Sequence, residues 1–210
     1  MNHGKFYHVV NHANGWDNLF EDPSHYSLFL QRMVIKLSPV ASVHAYCLMP
    51  NHFHLLVKIH DEEVIRQKLL ENYEINELLG FNKHKKSLFK LKAIDPFYQV
   101  TQQFSNFFNS YAQIFNRLTN RKGNLFQKSF KVFEIDSLSY LLNTVRYIHY
   151  NPVHHNFTAS YDEWHWSSFK DYRFEYDDFV VKEDILSAFD GASNFMDFHL
   201  NRPDKEDWDI

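Results

Sequence analysis

Residues 49–60 have the sequence Met-Pro-Asn-His-Phe-His-Leu-Leu-Val-Lys-Ile-His, and this stretch predicts the centre of the fold. Pro50 and Asn51 are turn residues, and the residues after them alternate in character, as in a strand with one buried face. Because successive side chains of a strand point to opposite faces, His52 and His54 share one face. The opposite face then carries an apolar row suited to a core, formed by Phe53, Leu55, Val57 and Ile59.

The histidine pair lies off that core face, where two adjacent imidazoles make half of a divalent-metal site. Neutral imidazole is a common ligand of such ions. Two polar residues on a solvated sheet face are the competing interpretation. A His-x-His motif taken alone favours that second interpretation, because short motifs recur by chance.

The composition indicates a folded intracellular chain. Its 210 residues fit one domain with elaborations, and its 21 Phe and 12 Tyr are ample for a buried core. The single cysteine, Cys47, excludes an internal disulfide and a Cys-rich zinc knuckle, and it fits a reducing compartment. No segment approaches the length that spans a membrane. We therefore expect a soluble, cytoplasmic protein with no membrane partner.

The net charge of −4 conceals two regions of opposite sign. Residues 82–131 contain ten basic side chains and one acidic side chain, whereas residues 171–210 contain four basic and twelve acidic ones. A basic middle segment is typical of contacts with nucleic acid. The lysines of residues 83–92, taken alone, indicate no more than a solvated face.

Periodicity and turn residues predict the order of the core elements. The predicted strands cover 5–11, 41–48 and the run from 52, the helices cover 23–37, 96–118 and 137–151, and short runs at 125–126 and 130–135 form a hairpin. The order strand, helix, strand, strand, helix, strand predicts an α+β fold of the ferredoxin-like split βαβ type. Its antiparallel sheet carries two helices on one face and leaves the other face to the histidines.

This fold divides the chain into two parts. Residues 1–155 form the predicted domain, with an insertion at 62–95 whose stretch 80–93 is polar and basic. Residues 156–210 form a C-terminal extension that packs on the same domain and ends in an acidic tail.

The helix over 137–151 is added to this core and has two distinct faces. Tyr147 and Asn151 lie one turn apart and are neighbours, on a face that also holds Tyr140 and Thr144. Spacing alone favours an amphipathic, half-buried tyrosine and a helix terminator before Pro152. The predicted buried stripe of this helix consists of Leu138, Leu141, Leu142, Val145 and Ile148.

A family resemblance rests on four motifs that occur in order. They are residues 49–57, Gly123-Asn124-Leu125-Phe126-Gln127, Tyr147-Ile148-His149-Tyr150-Asn151-Pro152-Val153 and Trp164-His165-Trp166-Ser167-Ser168. The opening Tyr7-His8-Val9-Val10-Asn11 and the helix around 103–112 also fit. The chain thereby resembles the single-tyrosine HUH transposases, and within them the REP-associated tyrosine transposases, over roughly residues 5–175.

The resemblance implies a nuclease and strand transferase that acts on single-stranded or hairpin DNA. It implies that His52, His54 and Asn151 bind one Mg²⁺ or Mn²⁺. It also implies that Tyr147 attacks the scissile phosphate, which gives a 5′-phosphotyrosine and a free 3′-hydroxyl. A cation suits this chemistry because the oxygens of a phosphodiester are anionic. Relatives include monomers and homodimers, so both oligomeric states stay open.

The contacts with DNA are predicted from charge. Arginine is common in the family where this chain has His12 and Ser129, and either change would weaken a phosphate contact without touching the chemistry. We expect phosphate contacts from basic residues around the 120–124 turn and beside the nucleophile, namely Arg117, Arg121, Lys122, Lys128, Lys131 and Arg146.

Two other functions stay open at this point. A non-catalytic or domesticated DNA-binding protein of the same fold would bind DNA whether or not a chelator is present. An RNA-directed metal phosphodiesterase that uses water would cleave without Tyr147. The presence of all four residues His52, His54, Tyr147 and Asn151 favours the transposase.

Overall fold

The part of the chain that the structure describes contains four strands and seven α-helices. The computed structural model describes residues 1–78, 96–174 and 179–201. The strands are β1 (Phe6–His12), β2 (Ala41–Met49), β3 (His52–Ile59) and β4 (Lys131–Ile135). The helices are α1 (Pro23–Leu37), α2 (Glu62–Leu78), α3 (Pro96–Leu118), α4 (Leu138–His154), α5 (Phe169–Phe174), α6 (Glu183–Ala188) and α7 (Ala192–Leu200).

Two predicted features fall beyond these ranges. The basic stretch 80–93 and the end of the acidic tail, from residue 202, lie outside the described residues. Among the helices that are described, none combines the length and the apolar character needed to cross a membrane.

The four strands form one sheet in the order β2-β3-β1-β4, and each pair of neighbours is antiparallel. This is the order of the ferredoxin-like split βαβ fold, so the predicted α+β class is confirmed. The pairing of β1 with β3 sets His12 opposite His52 and Val10 opposite His54.

The predicted division of faces on β3 is also confirmed. Phe53 is fully buried on the face covered by α1 and α3, where its ring lies 5.0 Å from Phe29 and 5.6 Å from Phe108. The turn before β3 is held by the neighbouring loop, because the carbonyl of Pro50 accepts hydrogen bonds from the backbone of Leu19 (2.7 Å) and Phe20 (3.1 Å). The start of β3 is therefore rigidly placed.

The predicted hairpin at 125–135 is wrong. Phe126 pairs with Ala13, and β4 pairs with β1, so both short runs lie in succession along the same side of the first strand. The backbone hydrogen bond from Gln127 to the carbonyl of His12 (3.0 Å) continues that pairing between them. Periodicity identified the extended segments, but their partner is more than a hundred residues away in sequence.

Helix α4 covers the other face of the sheet, over β2 and β3. Ser137 caps its first turn by accepting a hydrogen bond from the Tyr140 backbone (3.3 Å). The helix was predicted to end at Asn151 and instead continues to His154, although Pro152 has no N–H to donate to the carbonyl of Ile148. Leu138, predicted to be buried, is 60% exposed at the first position of the helix.

The C-terminal segment adds backbone pairing to the free edge of β2. Within the motif at 164–168, the carbonyl of Trp166 accepts from Leu48 (2.9 Å) and the backbone N–H of Ser168 donates to Tyr46 (3.0 Å). This segment therefore closes an edge that would otherwise offer unpaired backbone groups. The boundary at residue 155 stays a prediction.

A chain of buried hydrogen bonds joins α4 to α7. The Nδ1 of His199 donates to the carbonyl of Phe195 (2.8 Å), so its Nε2 accepts from Nδ1 of His149 (3.0 Å). The Nε2 of His149 then lies 2.9 Å from the hydroxyl of Ser168. Each contact has one donor and one acceptor when both imidazoles are neutral.

Acid should therefore weaken the fold. Burial lowers the pKa of His199 to about 4 and the pKa of His149 well below its ordinary value. The unfolded chain, with histidine pKa values of about 6.5, binds more protons than the folded chain between about pH 4 and 6.5. We expect the free energy of unfolding in urea to fall from about pH 7 to pH 5, with His199 alone contributing about 2 kcal/mol.

Two variants test whether His199 contributes to the loss of stability in acid. His199→Phe should show a shallower loss of stability with acid than the wild type, whereas the same change at the exposed His165 should leave the slope unaltered. An identical pH slope in His199→Phe and wild type would contradict it.

Candidate metal and nucleophile site

Side chains from β3 and α4 converge on the face of the sheet opposite the Phe53 core. The Nε2 of His52 lies 3.1 Å from Oδ1 of Asn151, and the rings of His52 and His54 are 5.2 Å apart. The ring of Tyr147 lies 5.3 Å from that of His54, edge to face. The structure thus brings together all four residues predicted for catalysis and metal binding, across about a hundred residues of sequence.

His52 has an arrangement of partners that suits a bound cation. Burial lowers its pKa to about 4, so at neutral pH the ring carries one N–H. Both partners are carboxamide oxygens, since Nδ1 faces Oδ1 of Asn51 (2.8 Å) and Nε2 faces Oδ1 of Asn151. The single N–H of the ring can serve only one of these contacts, so the other ring nitrogen keeps a lone pair that a cation could use.

The distance of 3.1 Å between Nε2 of His52 and Oδ1 of Asn151 fits two ligands of an octahedral ion. Two ligand atoms at right angles on Mg²⁺ are separated by about 3 Å, since each bond is about 2.1 Å long. Within the described residues, no three His, Cys, Asp or Glu side chains form a metal-binding group. A metal site at this place would combine the two imidazoles of His52 and His54 with the amide oxygen of Asn151.

His8 of β1 supports His54 from behind. Its Nε2 lies 2.9 Å from Nδ1 of His54, and the two rings stack at 5.1 Å. For Nε2 of His54 to offer a lone pair to a metal, its proton must sit on Nδ1 and be donated to His8. Such a partner fixes the tautomer of a metal-binding histidine and orients its ring.

Tyr147 is a partly buried phenol beside these imidazoles. Burial raises its pKa above the ordinary value near 10, and the Asn151 carboxamide opposes part of that shift. The phenol is therefore protonated at neutral pH, and a nucleophilic role would require activation by a nearby cation or base.

Two further histidines border the site. The ring of His12 stacks on that of His52 at 4.9 Å, and the ring of His155 lies 5.4 Å from it. Burial lowers the pKa of His12, and the charge of Lys131 lowers it further. His12 is thus a neutral ring at neutral pH, stacked on His52, one of the predicted metal ligands.

Neither His8 nor His12 was predicted from the sequence to belong to the site. His8 lies in a strand whose side chains alternate between two faces. Its position in the sequence therefore indicates which face of the sheet it is on, but not which residues lie beside it. Only the pairing of β1 with β3 shows that it lies beside His54. No local signal in the sequence carries that register.

The predicted DNA-binding residues divide into two groups. Arg117, Lys122, Lys128 and Lys131 are exposed. Arg121 is engaged with its own loop, because its guanidinium forms an ion pair with Asp17 and donates to the carbonyls of Gly123 (3.2 Å) and Asn124 (2.9 Å). These contacts of Arg121 stabilise the conformation of the basic turn at residues 120–124.

Arg146 is placed away from solvent. It is 7% exposed, and its guanidinium stacks on the ring of Phe198 at 4.3 Å. Its position next to Tyr147 in sequence turns it by about 100° on the helix, toward α7. This placement argues against the predicted contact between Arg146 and DNA.

No family model and no curated protein matches the chain. Among solved structures, the REP-associated tyrosine transposase bound to a REP hairpin matches with a TM-score of 0.50 and 16% sequence identity, over 88% of each chain. The chain has the fold of a REP-associated tyrosine transposase. At this identity the likeness is one of fold, and it spans both the sheet and the helices around it.

The support that His8 provides in this transposase fold is testable. His8→Phe keeps an aromatic ring in the buried position and removes both nitrogens, so His54 loses its tautomer partner. We expect the affinity for Mn²⁺ to fall by about 10- to 100-fold, measured by the electron paramagnetic resonance signal of free Mn²⁺ during a titration. His60→Phe is the control, because His60 follows the far end of β3 and lies beside Ser42, and this variant should bind as the wild type does. Unchanged affinity in His8→Phe would show that the contact is not part of the site.

Proposed function

We propose that the chain is a cytoplasmic, metal-dependent DNA transposase, an endonuclease and strand transferase that acts on single-stranded or hairpin DNA through Tyr147. The observation that carries this proposal is the convergence of His52, His54 and Asn151 next to the Tyr147 phenol. The transposase fold supports it, and so does the hairpin bound by the matched structure.

The covalent step is a transesterification. The Oη of Tyr147 forms a bond to the scissile phosphorus, and the bond from that phosphorus to the 3′ oxygen breaks. The phenol proton is lost to solvent and the departing oxygen takes one up, so charge and atoms balance. The products are a 5′-phosphotyrosine and a free 3′-hydroxyl, which can attack a second phosphotyrosine in the reverse sense without an external energy source.

The residues present fit an ion that supports this step. His52 and His54 would hold Mg²⁺ or Mn²⁺ through ring nitrogens and Asn151 through its amide oxygen, with Mn²⁺ the better match to imidazole. When bound, such an ion supplies positive charge to the phosphate oxygens and to the nucleophile. The protein's own contribution is to hold Tyr147 in place on α4, one helical turn before Asn151.

The surrounding side chains favour an anionic substrate. Lys128 and Lys131 are exposed on the segment that runs beside β1, and Lys131 lies close enough to His12 for its charge to lower the pKa of that ring. Phosphate contacts of this kind fix position and create salt dependence rather than sequence preference. Monomeric and homodimeric arrangements are both compatible with the proposal.

The test is a covalent adduct. Wild-type protein incubated with a labelled hairpin oligonucleotide that has single-stranded flanks, and with Mn²⁺, should give a protein–DNA band that survives denaturing electrophoresis. Tyr147→Phe should abolish the band because the phenol oxygen is lost. Tyr140→Phe, a partly buried tyrosine two turns earlier on the same helix, is the matched control and should retain it.

The same assay separates the alternatives. An adduct in Tyr147→Phe would overturn the assignment of the nucleophile. Cleavage without any adduct, unaffected by Tyr147→Phe, would indicate a phosphodiesterase that uses water. Binding without cleavage that is indifferent to chelator and to His52→Ala would indicate a non-catalytic or domesticated DNA-binding protein of the same fold.

A further inference from the structure

Helix α4 leaves the β4 side of the sheet face exposed. It packs over β2 and β3, whereas Lys131 and Phe133 of β4 are open to solvent. The pairing of β4 with β1 sets Lys131 opposite Val10 and Phe133 opposite His8. These two side chains therefore share the face of the sheet on which the proposed metal ligands stand.

Phe133 is an aromatic surface beside the nucleophile. Its side chain is 36% exposed, although a phenylalanine is favourable to bury. Its ring lies 5.9 Å from His8, and the ring of His8 lies 5.9 Å from that of Tyr147. One imidazole thus separates an exposed phenylalanine from the phenol that is proposed to attack phosphate.

Lys131 supplies a cation on the same face of β4 as Phe133. It lies two residues before Phe133 and pairs with Val10, which is two residues from His12 along β1. The ring of His12 in turn stacks on that of His52. The ring and the ammonium group are consequently both next to the site, one beside Tyr147 and the other toward the metal ligands.

This pairing of groups has a specific chemical complement. A flat, exposed ring accepts the face of a nucleobase, and an adjacent ammonium group accepts a phosphate. In duplex DNA the faces of bases are covered by their neighbours, so only an unpaired and unstacked nucleotide can use both groups. Continuity with the Tyr147 site favours this occupant over a peptide or a second copy of the chain.

We propose that Phe133 and Lys131 form a subsite for one unpaired nucleotide next to the scissile phosphate, with the base stacked on Phe133 and a phosphate held by Lys131. The inference rests on the proposed function, since it uses that site's substrate class. Because every base has an aromatic face, the subsite distinguishes single-stranded from duplex DNA rather than one base from another.

The chain offers a matched control for this proposal. Val132 is also 36% exposed on the same strand, but it faces the opposite side of the sheet, opposite Val9. Phe133→Ala and Val132→Ala therefore remove apolar groups of equal exposure from adjacent positions, and only the first touches the subsite.

Binding is measured with full-length protein and EDTA, so that no cleavage is needed. The probes are a fluorescein-labelled single-stranded oligonucleotide of mixed sequence and its duplex, followed by fluorescence anisotropy. Phe133→Ala should weaken single-strand binding at least about fivefold, as expected from the loss of one base–aromatic stack. Phe133→Leu should behave in the same way, whereas Phe133→Trp and Val132→Ala should bind as the wild type does.

These measurements test the subsite separately from the proposed transposase activity. Equal affinity of Phe133→Ala and wild type for the single strand, equal losses for single strand and duplex, or no binding by the wild type overturns the subsite. If analytical ultracentrifugation gives a different molecular mass for Phe133→Ala than for the wild type, Phe133 and Lys131 would belong to a self-association surface. That result would also overturn the subsite. The adduct assay fails or succeeds independently, because stacking on Phe133 requires neither Tyr147 chemistry nor a metal.

Discussion

The antiparallel register between β1 and β3 is the constraint on which the rest of the structure depends. It sets His12 opposite His52 and His8 within hydrogen-bonding distance of His54. A shift of one residue would exchange the two faces of the strand and move the imidazoles into the apolar layer under α1 and α3. The burial of Phe53 between Phe29 and Phe108 opposes that shift, so the core specifies the geometry of the site.

Burial also determines the charge state of the site. Several imidazoles lie together with little access to water, and the cost of desolvating a charged ring lowers the pKa of His8 and His52 to about 4. Neutral rings keep their lone pairs, and these are what a metal ion needs. A cluster that would repel itself if protonated is therefore stable at neutral pH, and its lone pairs are available to the proposed metal ion.

The elements around the sheet each have a separate task. Helix α4 presents Tyr147 and Asn151 on one face and joins α7 through His149 and His199 on another. The loop at 13–19 is tied to the basic turn by the ion pair of Arg121 with Asp17, which orients that turn at the end of the sheet. The position of Tyr147, the proposed nucleophile, thus depends on contacts with β1 and β3 and on the packing of α4 against α7.

The sequence by itself determined the order of the elements, the two faces of β3 and the pairing of Tyr147 with Asn151, because strand alternation and helical spacing are local properties. The tertiary structure alone decided which strands pair, and this is why the predicted hairpin at 125–135 was wrong. It also decided that Arg146 packs on Phe198, that His8 supports His54 and that Phe133 stands beside Tyr147. These relations join residues that are distant in sequence through packing and register, and no local pattern of residues encodes them.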